Sequence, residues 1–544
     1  MKNPLGLILL LACLLIGCWL RWQMAAHDPL WIDELHTSWV LADGWGQVAS
    51  RAIAGNQSPL YFWLNHVVAG GQEQTAFGLR AVSLAAGCGL LGLGAWVTWR
   101  LTRSVLATAT TALVLAIDSQ LIFFASEARP YALVQLGGLL LSWRGYQRLC
   151  SLQTGPDWSL PLLALAIVLL HPTAILLTLT VAVLLFFQRR APQPLDGLGM
   201  AVGSVVGLVM NQATSTWVQR RELWQALVDG PELIGLSLGL VLGAWLVPYS
   251  VRRWYAFRTF RWNSSSRVLS SPARSPRSAE PSLAVNLAGE PEPSAAAYWL
   301  GCFLGPVIVA VLCSWSGLAG LATPRYLAVV WSFPALGLGL QVAGLPWKRG
   351  LALSALGVFL LAFGAVPVPQ SGGWRIVRTN PLAVSLWRER AVLGMRSEGW
   401  HDVRQYLLDS PDLNQRLLWL YPNLIEDELW ERSGGKDDRL NEYLTFALRG
   451  IYSLPKTQIE PRAFRAAQLL DQADQSMLRG RAICVVVRCA AEELANLEQA
   501  WRADWARLGG QADELQIEWL LSAGDVHLLT IEVAAQPGRA EQPQ

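Results

Sequence analysis

The sequence predicts a mainly α-helical, polytopic membrane protein with about eleven transmembrane helices and a small external α/β domain. Hydrophobic residues make up 53% of the 544 residues, charged residues only 15%, and 27 residues are tryptophan. This balance is typical of membrane proteins and unlike that of soluble domains. The net charge of +3 is too small to indicate nucleic-acid binding.

The chain begins with a segment that we predict to be an uncleaved first transmembrane helix. Its charged start and apolar body are also found in signal peptides, and residues 15–18 resemble a lipoprotein cleavage box. The segment is nevertheless long enough to span, and it ends in Trp19, Arg21 and Trp22 instead of small residues. Many further apolar runs follow it, so cleavage is the less favoured interpretation.

About eleven apolar segments are candidates for spanning the bilayer. They lie at about residues 4–22, 78–99, 104–124, 129–147, 160–170, 172–187, 197–215, 232–251, 297–317, 325–344 and 350–367. With a cytoplasmic N-terminus, every loop on the cytoplasmic side is basic, as the positive-inside rule requires. The basic residues of these loops are Arg100, Arg103, Arg144, Arg148, Arg189, Arg190, the arginines from Arg252 to Arg277, Lys348 and Arg349.

An odd number of spans places the C-terminal part outside. The predicted domains are therefore a membrane domain, residues 1–367, and an external domain, residues 368–544. Residues 258–296 are rich in Ser, Pro and Arg and poor in apolar residues. This composition predicts a disordered cytoplasmic loop.

The external domain combines strand-like and helix-like patterns. Short β-type runs at 416–421, 482–487 and 526–533 alternate with a helical stretch at 490–508, and Ala523 to Asp525 form a hairpin turn. Cys484 and Cys489 flank one β-type run, and their odd separation puts them on opposite faces, which disfavours a disulfide between them.

The first outer loop, residues 24–77, carries the strongest candidate for chemistry. Its motif WIDELHTSWVLADGW places Asp33 and Glu34 beside three tryptophans that are suited to the membrane interface. Such a carboxylate can act as a general base toward a substrate that arrives in the lipid. The alternative is that both acids are solvated loop residues.

A short apolar stretch follows in the same loop. Residues 59–68 are too few to span, and the glycines at 70 and 71 close the run. The pattern favours a helix in the membrane interface beside Asp33, and it carries two candidate substrate-binding residues, Tyr61 and His66.

Arginines on the outer side are informative because the orientation rule predicts few of them near spans. Arg129 (in SEARPYAL) and Arg325 (in ATPRYL) each lie at the outer mouth of a span and just before a tyrosine, Tyr131 and Tyr326. A guanidinium there can donate paired hydrogen bonds to phosphate oxygens, and the tyrosine can stack or donate a hydrogen bond beside it. The alternative is that these arginines snorkel or pair with loop acids.

Other outer polar residues have weaker patterns. Arg80 is a further substrate-binding candidate, whereas Arg220 with Arg221 fits a lipid interface. His171 lies at an outer turn and is a candidate for substrate binding, although a lone histidine is more often structural. No metal-ligand spacing occurs among the cysteines, and two adjacent acids are a poor metal signature. We therefore expect no cofactor, with a divalent metal possible but not indicated.

The order of these motifs along the chain, and their common predicted position on the outer side, form a family pattern. WIDELHTSWVLADG, then SPLYFWL, ASEARPYAL, the His171 turn and TPRYL together resemble the bacterial members of glycosyltransferase family 39. This family belongs to the GT-C superfamily of membrane glycosyltransferases and includes relatives of the protein O-mannosyltransferases and the lipid A aminoarabinose transferase. The resemblance covers residues 1 to about 367.

The resemblance implies an enzyme that transfers a sugar from a polyprenyl-phosphate donor to a lipid, glycan or protein acceptor at the outer face of the membrane. The membrane would be a bacterial inner membrane, with the external domain in the periplasm. In this family the first-loop Asp acts on the acceptor, so Asp33 would be the general base and Glu34 an adjacent supporting residue. Two features depart from the family pattern. Residues 24–77 contain no lysine for the donor phosphate, and Gln57-Ser58 replaces the usual His-Pro. Phosphate binding would then depend on Arg129 and Arg325.

Two other function classes remain open on the sequence. A transporter or flippase of a lipid-linked sugar could use the same arginines, although neither an inverted repeat nor a matched pair of Gly/Pro-broken helices is evident. A non-catalytic membrane scaffold could bind a partner through the external domain. Replacement of Asp33 separates these alternatives from a transferase.

Overall fold

The computed structural model describes most of the chain. The described ranges are 4–55, 57–69, 74–150, 155–186, 193–214, 295–315, 325–363, 365–370, 373–378, 398–410, 412–413, 417–424, 438–454, 461–463, 482–489, 491–507 and 509–533. The predicted span at 232–251, almost all of the predicted loop at 258–296, and the Arg220-Arg221 pair lie outside the described residues.

The described helices and strands are numbered here in chain order. The helices are α1 (Pro4–His27), α2 (Ile32–Leu41), α3 (Trp45–Ala54), α4 (Pro59–Ala69), α5 (Ala76–Thr102), α6 (Val105–Ile117), α7 (Ser119–Ala125), α8 (Tyr131–Cys150), α9 (Ser159–Leu170), α10 (Ile175–Phe186), α11 (Gln193–Thr214), α12 (Ala295–Trp315), α13 (Phe333–Ala343), α14 (Trp347–Phe363), α15 (Trp400–Asp409), α16 (Asp438–Leu444) and α17 (Ala491–Arg507). The strands are β1 (Ala365–Gln370), β2 (Gly373–Arg378), β3 (Leu417–Tyr421), β4 (Arg462–Ala463), β5 (Ile483–Arg488), β6 (Leu515–Ala523) and β7 (Val526–Val533).

The first part of the chain is an assembly of apolar helices. Three stretches in the described ranges are long and apolar enough to cross a membrane, namely Gly6–His27, Ala76–Thr102 and Ala295–Cys313. Shorter apolar helices account for most of the other predicted segments. The total of about eleven spans and the orientation of the termini therefore stay predictions.

One predicted span is interrupted. The apolar run at 104–124 forms two helices, α6 and α7, that meet at Asp118. The Asp118 carboxylate accepts a hydrogen bond from the Leu121 amide at 2.9 Å. Asp118 is thus an N-cap, which is the role that its position beside Ser119 and Gln120 suggests.

The C-terminal part contains a mixed five-stranded sheet in the order β4-β3-β5-β7-β6. Strands β4 and β5 run parallel to β3, whereas β7 runs antiparallel to β5 and to β6. The predicted β-type runs, the helix and the hairpin are confirmed, and Gly524 supplies the positive φ of 60° in the turn. That this α/β unit lies outside the membrane stays a prediction.

The two faces of the sheet pack against different partners. On one face, alternate β5 residues such as Val485 pack in a core with the α17 tryptophans. Cys489, just beyond the end of β5, belongs to the same core. Cys484 and Val486 lie in a second core. The two cysteines are therefore on opposite faces and form no disulfide with each other, as predicted.

The second core joins the outer loop to the C-terminal sheet. It contains Leu35 and Trp39 of α2 and Phe62 of α4 together with Trp400 and Leu528 from the C-terminal part. Helices α2, α3 and α4 occupy the loop between α1 and α5. One hydrophobic cluster thus includes side chains that are separated by almost the whole sequence.

His36 lies inside this shared core without a polar partner. Its ring centroid is 5.4–5.8 Å from those of Trp39, Phe62, Tyr443 and Phe446. Neither ring nitrogen has a hydrogen-bond partner among the described residues. Burial, and to a lesser degree the charge of Arg129, lowers the pKa of His36 well below its ordinary value of 6.5. The folded protein therefore holds His36 as a neutral ring.

Acidification should destabilise the fold through His36. The unfolded chain takes up a proton on this histidine below its ordinary pKa of 6.5, and the folded chain does not. The contribution is absent above that pKa and grows as the pH falls below it, to about 2 kcal/mol at about pH 5. We expect His36→Leu to lack this loss, as measured by thermal unfolding in detergent between about pH 7.5 and about pH 5.

His66→Leu is the matched control, because His66 is another histidine of the same loop, on α4. It should keep the acid-induced loss that His36→Leu removes. An equal loss in wild type and His36→Leu would contradict the prediction.

Candidate active site

Asp33 lies between two arginines from distant parts of the sequence. It occupies the first turn of α2. Its Oδ1 is 3.5 Å from Nη2 of Arg129, and its Oδ2 is 3.7 Å from Nη1 of Arg325. Arg129 belongs to the turn between α7 and α8, and Arg325 precedes a short 3₁₀ turn, Ala328–Val330. The fold therefore brings both arginines to the same carboxylate.

The Arg129 guanidinium is buried and incompletely engaged. Its side chain is 6% exposed, and its Nε and Nη1 have no hydrogen-bond partner in the described part of the chain. Burial alone would lower the pKa of Arg129, but the charge of Asp33, together with smaller contributions from Tyr131, Glu127 and Tyr443, outweighs burial and raises the pKa. Arg129 is therefore a charged group with donors free for a ligand.

Arg325 and Asp33 are more exposed than Arg129. Arg325 is 49% exposed and Asp33 20% exposed, so both can be reached from solvent. Asp33 Oδ2 makes no hydrogen bond to the described residues, and its two arginine contacts are ion pairs longer than hydrogen bonds. The indole Nε1 of Trp31, two residues away, is likewise buried without a partner among them. Oδ2 of Asp33 is thus open to a hydrogen bond from a substrate.

Aromatic rings lie beside the arginines. The His171 ring is between Tyr131 and Tyr326, with centroid distances of 5.3 and 6.3 Å. Its Nδ1 is 2.8 Å from the Thr173 hydroxyl oxygen. Burial, then the charges of Arg129 and Arg325, lower the pKa of His171 to about 4. His171 is therefore neutral near pH 7, and it joins the site as a ring and a hydrogen-bonding group.

Glu34 points away from this opening and forms a buried ion pair with Arg80. Both side chains are fully buried. The pair is bidentate, with Arg80 Nε donating to Oε1 at 2.7 Å and Nη2 donating to Oε2 at 2.6 Å. Glu34 Oε1 also accepts the amide of Ala128 at 2.8 Å, next to Arg129. This geometry favours a role in which Glu34 holds the Arg129 turn against α2.

The structure corrects the assignment of Arg80 as a substrate-binding candidate. A guanidinium has five N–H donors. All five are used inside the protein, by Glu34 Oε1 and Oε2 and by the carbonyl oxygens of Ala25, Asp28 and Pro29. Because Arg80 is fully buried and has no donor left, it cannot bind a substrate without breaking this network.

Tyr61 and His66 on α4 differ in their relation to the site. The Tyr61 hydroxyl is 3.1 Å from the Ser83 hydroxyl, which donates to the carbonyl of Arg129 at 2.8 Å. Burial raises the pKa of Tyr61, so the phenol stays protonated and supports Arg129 through Ser83. His66 contacts Trp45, and no described contact joins it to Asp33 or to either arginine.

Sequence reasoning missed one residue that touches this region. Glu398, near the start of the C-terminal part, accepts a hydrogen bond from the Ile32 amide at 2.7 Å, although 366 residues separate the two. Nothing in the local pattern around Glu398 predicts this contact. In the described ranges, no three His, Cys, Asp or Glu side chains group as a metal site, and the expected lack of a cofactor stays a prediction.

Comparison with known proteins finds a likeness to solved structures. Neither a protein-family model nor a curated protein matches the chain. The chain is similar to the solved structure of ArnT from Cupriavidus metallidurans bound to undecaprenyl phosphate, with 12% identity, a TM-score of 0.42, and coverage of 96% of this chain and 97% of that chain. The apo state of the same ArnT gives 13% identity, a TM-score of 0.44, and coverage of 98% and 99%. At these scores the likeness by itself supports no functional assignment.

Proposed function

We propose that this protein is a membrane glycosyltransferase that moves a sugar from a polyprenyl-phosphate donor to an acceptor at the outer face of the membrane. The observation that carries the proposal is Asp33 lying within 4 Å of both Arg129 and Arg325. A carboxylate beside two cations provides both a base and an anion site in one place.

Arg129 supports the choice of a phosphate ligand. A buried cation with unused N–H groups is costly to maintain, and an anion that accepts from them removes that cost. A phosphate can accept a forked pair of bonds from one arginine, which is the geometry that a guanidinium favours. Arg325 is half exposed at the entrance and would complete the contact once the donor is bound.

Asp33 would act on the acceptor. The acceptor hydroxyl or amine attacks C1 of the sugar and forms a new C1–O or C1–N bond. The bond between C1 and the phosphate oxygen breaks, and its electron pair leaves with the polyprenyl phosphate. The acceptor proton passes to the Asp33 carboxylate. Arg129 and Arg325 stabilise the negative charge that develops on the leaving phosphate.

The aromatic rings would contact the sugar. Tyr131, His171 and Tyr326 present apolar faces and polar edges next to the two arginines. His171 is neutral near pH 7, so it can orient a sugar hydroxyl without competing for the phosphate. Their placement supports a sugar subsite beside the phosphate site.

Replacing Arg129 with lysine tests the phosphate site. An ammonium cannot reproduce the forked contact, so we expect Arg129→Lys to weaken binding of a polyprenyl phosphate by about ten- to hundredfold. Arg325→Lys should have a smaller effect because Arg325 is 49% exposed. Binding is measured with purified protein in nanodiscs, which requires no knowledge of the sugar.

Arg144→Lys is the matched control, since Arg144 forms a partly exposed ion pair with Asp157 at 2.7 Å on a different part of the chain. It should leave binding of the polyprenyl phosphate unchanged. Equal binding by wild type and Arg129→Lys, or a change confined to the KM of the acceptor, would remove the phosphate assignment.

A further inference from the structure

Glu398 connects the C-terminal part to the first turn of α2. Its side chain is 6% exposed, and both carboxylate oxygens are engaged. Oε2 accepts from the Ile32 amide at 2.7 Å and from the Trp400 indole at 2.8 Å. Oε1 accepts from Nε of Arg488 at 2.8 Å. Glu398 is therefore a rigidly held acceptor aimed at the start of α2.

The start of α2 has no local cap of its own. Trp31 occupies the N-cap position and makes no side-chain capping bond. Side chains that cap helices accept from the first free amides, and a carboxylate there also interacts favourably with the helix dipole. Glu398 performs this function from another part of the chain. The residue after the capped Ile32 is Asp33, so the bond fixes the backbone next to the proposed base.

Contacts from two parts of the chain hold α2. Among the residues before α9, Glu34 pairs with Arg80, and Thr37 donates to the carbonyl of Ala128 at 2.8 Å. On the side of the C-terminal part, Ser38 Oγ accepts from the Ile451 amide at 2.8 Å. At the far end of α2, Trp39 Nε1 donates to Glu442 at 3.2 Å.

We infer that Glu398 is a positioning residue for Asp33, and that the C-terminal part thereby contributes to the active site. The inference rests on the proposed function. The carboxylate fixes the first turn of α2, where a small rotation would move Asp33 relative to both arginines. Misplacement of a reacting group by about 1 Å can lower a rate by about a hundredfold.

The test uses Glu398→Ala and Glu398→Gln in the full-length chain. We expect Glu398→Ala to lower kcat by about ten- to hundredfold with little change in the KM of either substrate. Glu398→Gln keeps an oxygen that accepts from Ile32 and should recover most of the activity. Amide hydrogen exchange of the peptide that contains residues 30–36 should become about tenfold faster in Glu398→Ala.

Glu442→Gln is the matched control, because it alters a carboxylate of the same C-terminal part that binds the other end of α2. It should change neither kcat nor the exchange of residues 30–36. Thermal unfolding midpoints identify any variant that is simply misfolded, and Glu398→Gln keeps the test decisive if Glu398→Ala does not fold.

The outcomes separate the two levels of inference. Faster exchange together with a lower kcat supports the positioning role. Unchanged exchange, or faster exchange with an unchanged kcat, overturns it. If wild type transfers no sugar from any polyprenyl-phosphate donor, the proposed function fails and the catalytic role of Glu398 fails with it, whereas the exchange data still show whether Glu398 holds α2.

Discussion

Asp33→Asn should lower the turnover of sugar transfer by about a hundred- to ten-thousandfold, because the acceptor loses the base that removes its proton. Asparagine has nearly the same shape as aspartate, so the first turn of α2 should stay folded. The carboxylate also neutralises part of the charge of Arg129 and Arg325, with contacts at 3.5 and 3.7 Å. Its loss should therefore leave the binding of a polyprenyl phosphate intact or make it several-fold tighter.

The measurement pairs sugar transfer with binding of the polyprenyl phosphate in the same nanodisc preparation. Asp43→Asn is the control, since Asp43 is a more exposed acid of the same loop and pairs with Arg51. A transporter catalyses no sugar transfer, so neither wild type nor Asp33→Asn would show turnover. A scaffold would likewise show no difference between wild type and either variant. Full turnover by Asp33→Asn would exclude Asp33 as the base.

Arg80→Met should destabilise the protein by about 3–5 kcal/mol, which is the largest stability effect that we expect. The substitution leaves Glu34 as a fully buried charge and also removes the donors from three backbone carbonyls. Glu34→Gln should cost less, because Arg80 keeps its carbonyl partners. The unfolding midpoint in detergent measures both variants.

Arg144→Met is the comparison variant, because it removes an ion pair that is more exposed to solvent than the one between Arg80 and Glu34. Arg144 is 42% exposed, and such pairs contribute about 1 kcal/mol or less. A stable but inactive Arg80→Met protein would revive a direct role for Arg80 in substrate binding. Loss of the folded protein, with activity lost only in proportion, would support the structural role.

Much of the C-terminal fold could be predicted because its signals are local. Strand β7 begins and ends where the predicted β-type run at 526–533 does, and α17 matches its predicted helix to within one residue at each end. The interruption at Asp118 is a local capping event that hydropathy alone does not detect. An apolar run can be read from composition, but whether it forms one helix or two depends on a single side chain.

The candidate site could be predicted only where sidedness carries information. Arg129 and Arg325 stood out because both lie near the predicted outer ends of spans, and the structure brings them to the same carboxylate. Arg80 has the same sequence signal, yet its donors are consumed by Glu34 and by the backbone. One sequence cannot distinguish an arginine that is satisfied internally from one that awaits a ligand. Glu398 gave no signal at all, because its partner is a backbone amide 366 residues away.

The core shared by the loop between α1 and α5 and the C-terminal sheet has a consequence for folding during synthesis. Leu35, Trp39 and Phe62 emerge early from the ribosome, but Trp400 and Leu528, which cover them, are made last. The apolar side chains of the loop that holds Asp33 therefore cannot complete their packing until nearly the whole chain has been synthesised. We therefore expect a chain that ends before Trp400 to leave this apolar face of the loop exposed.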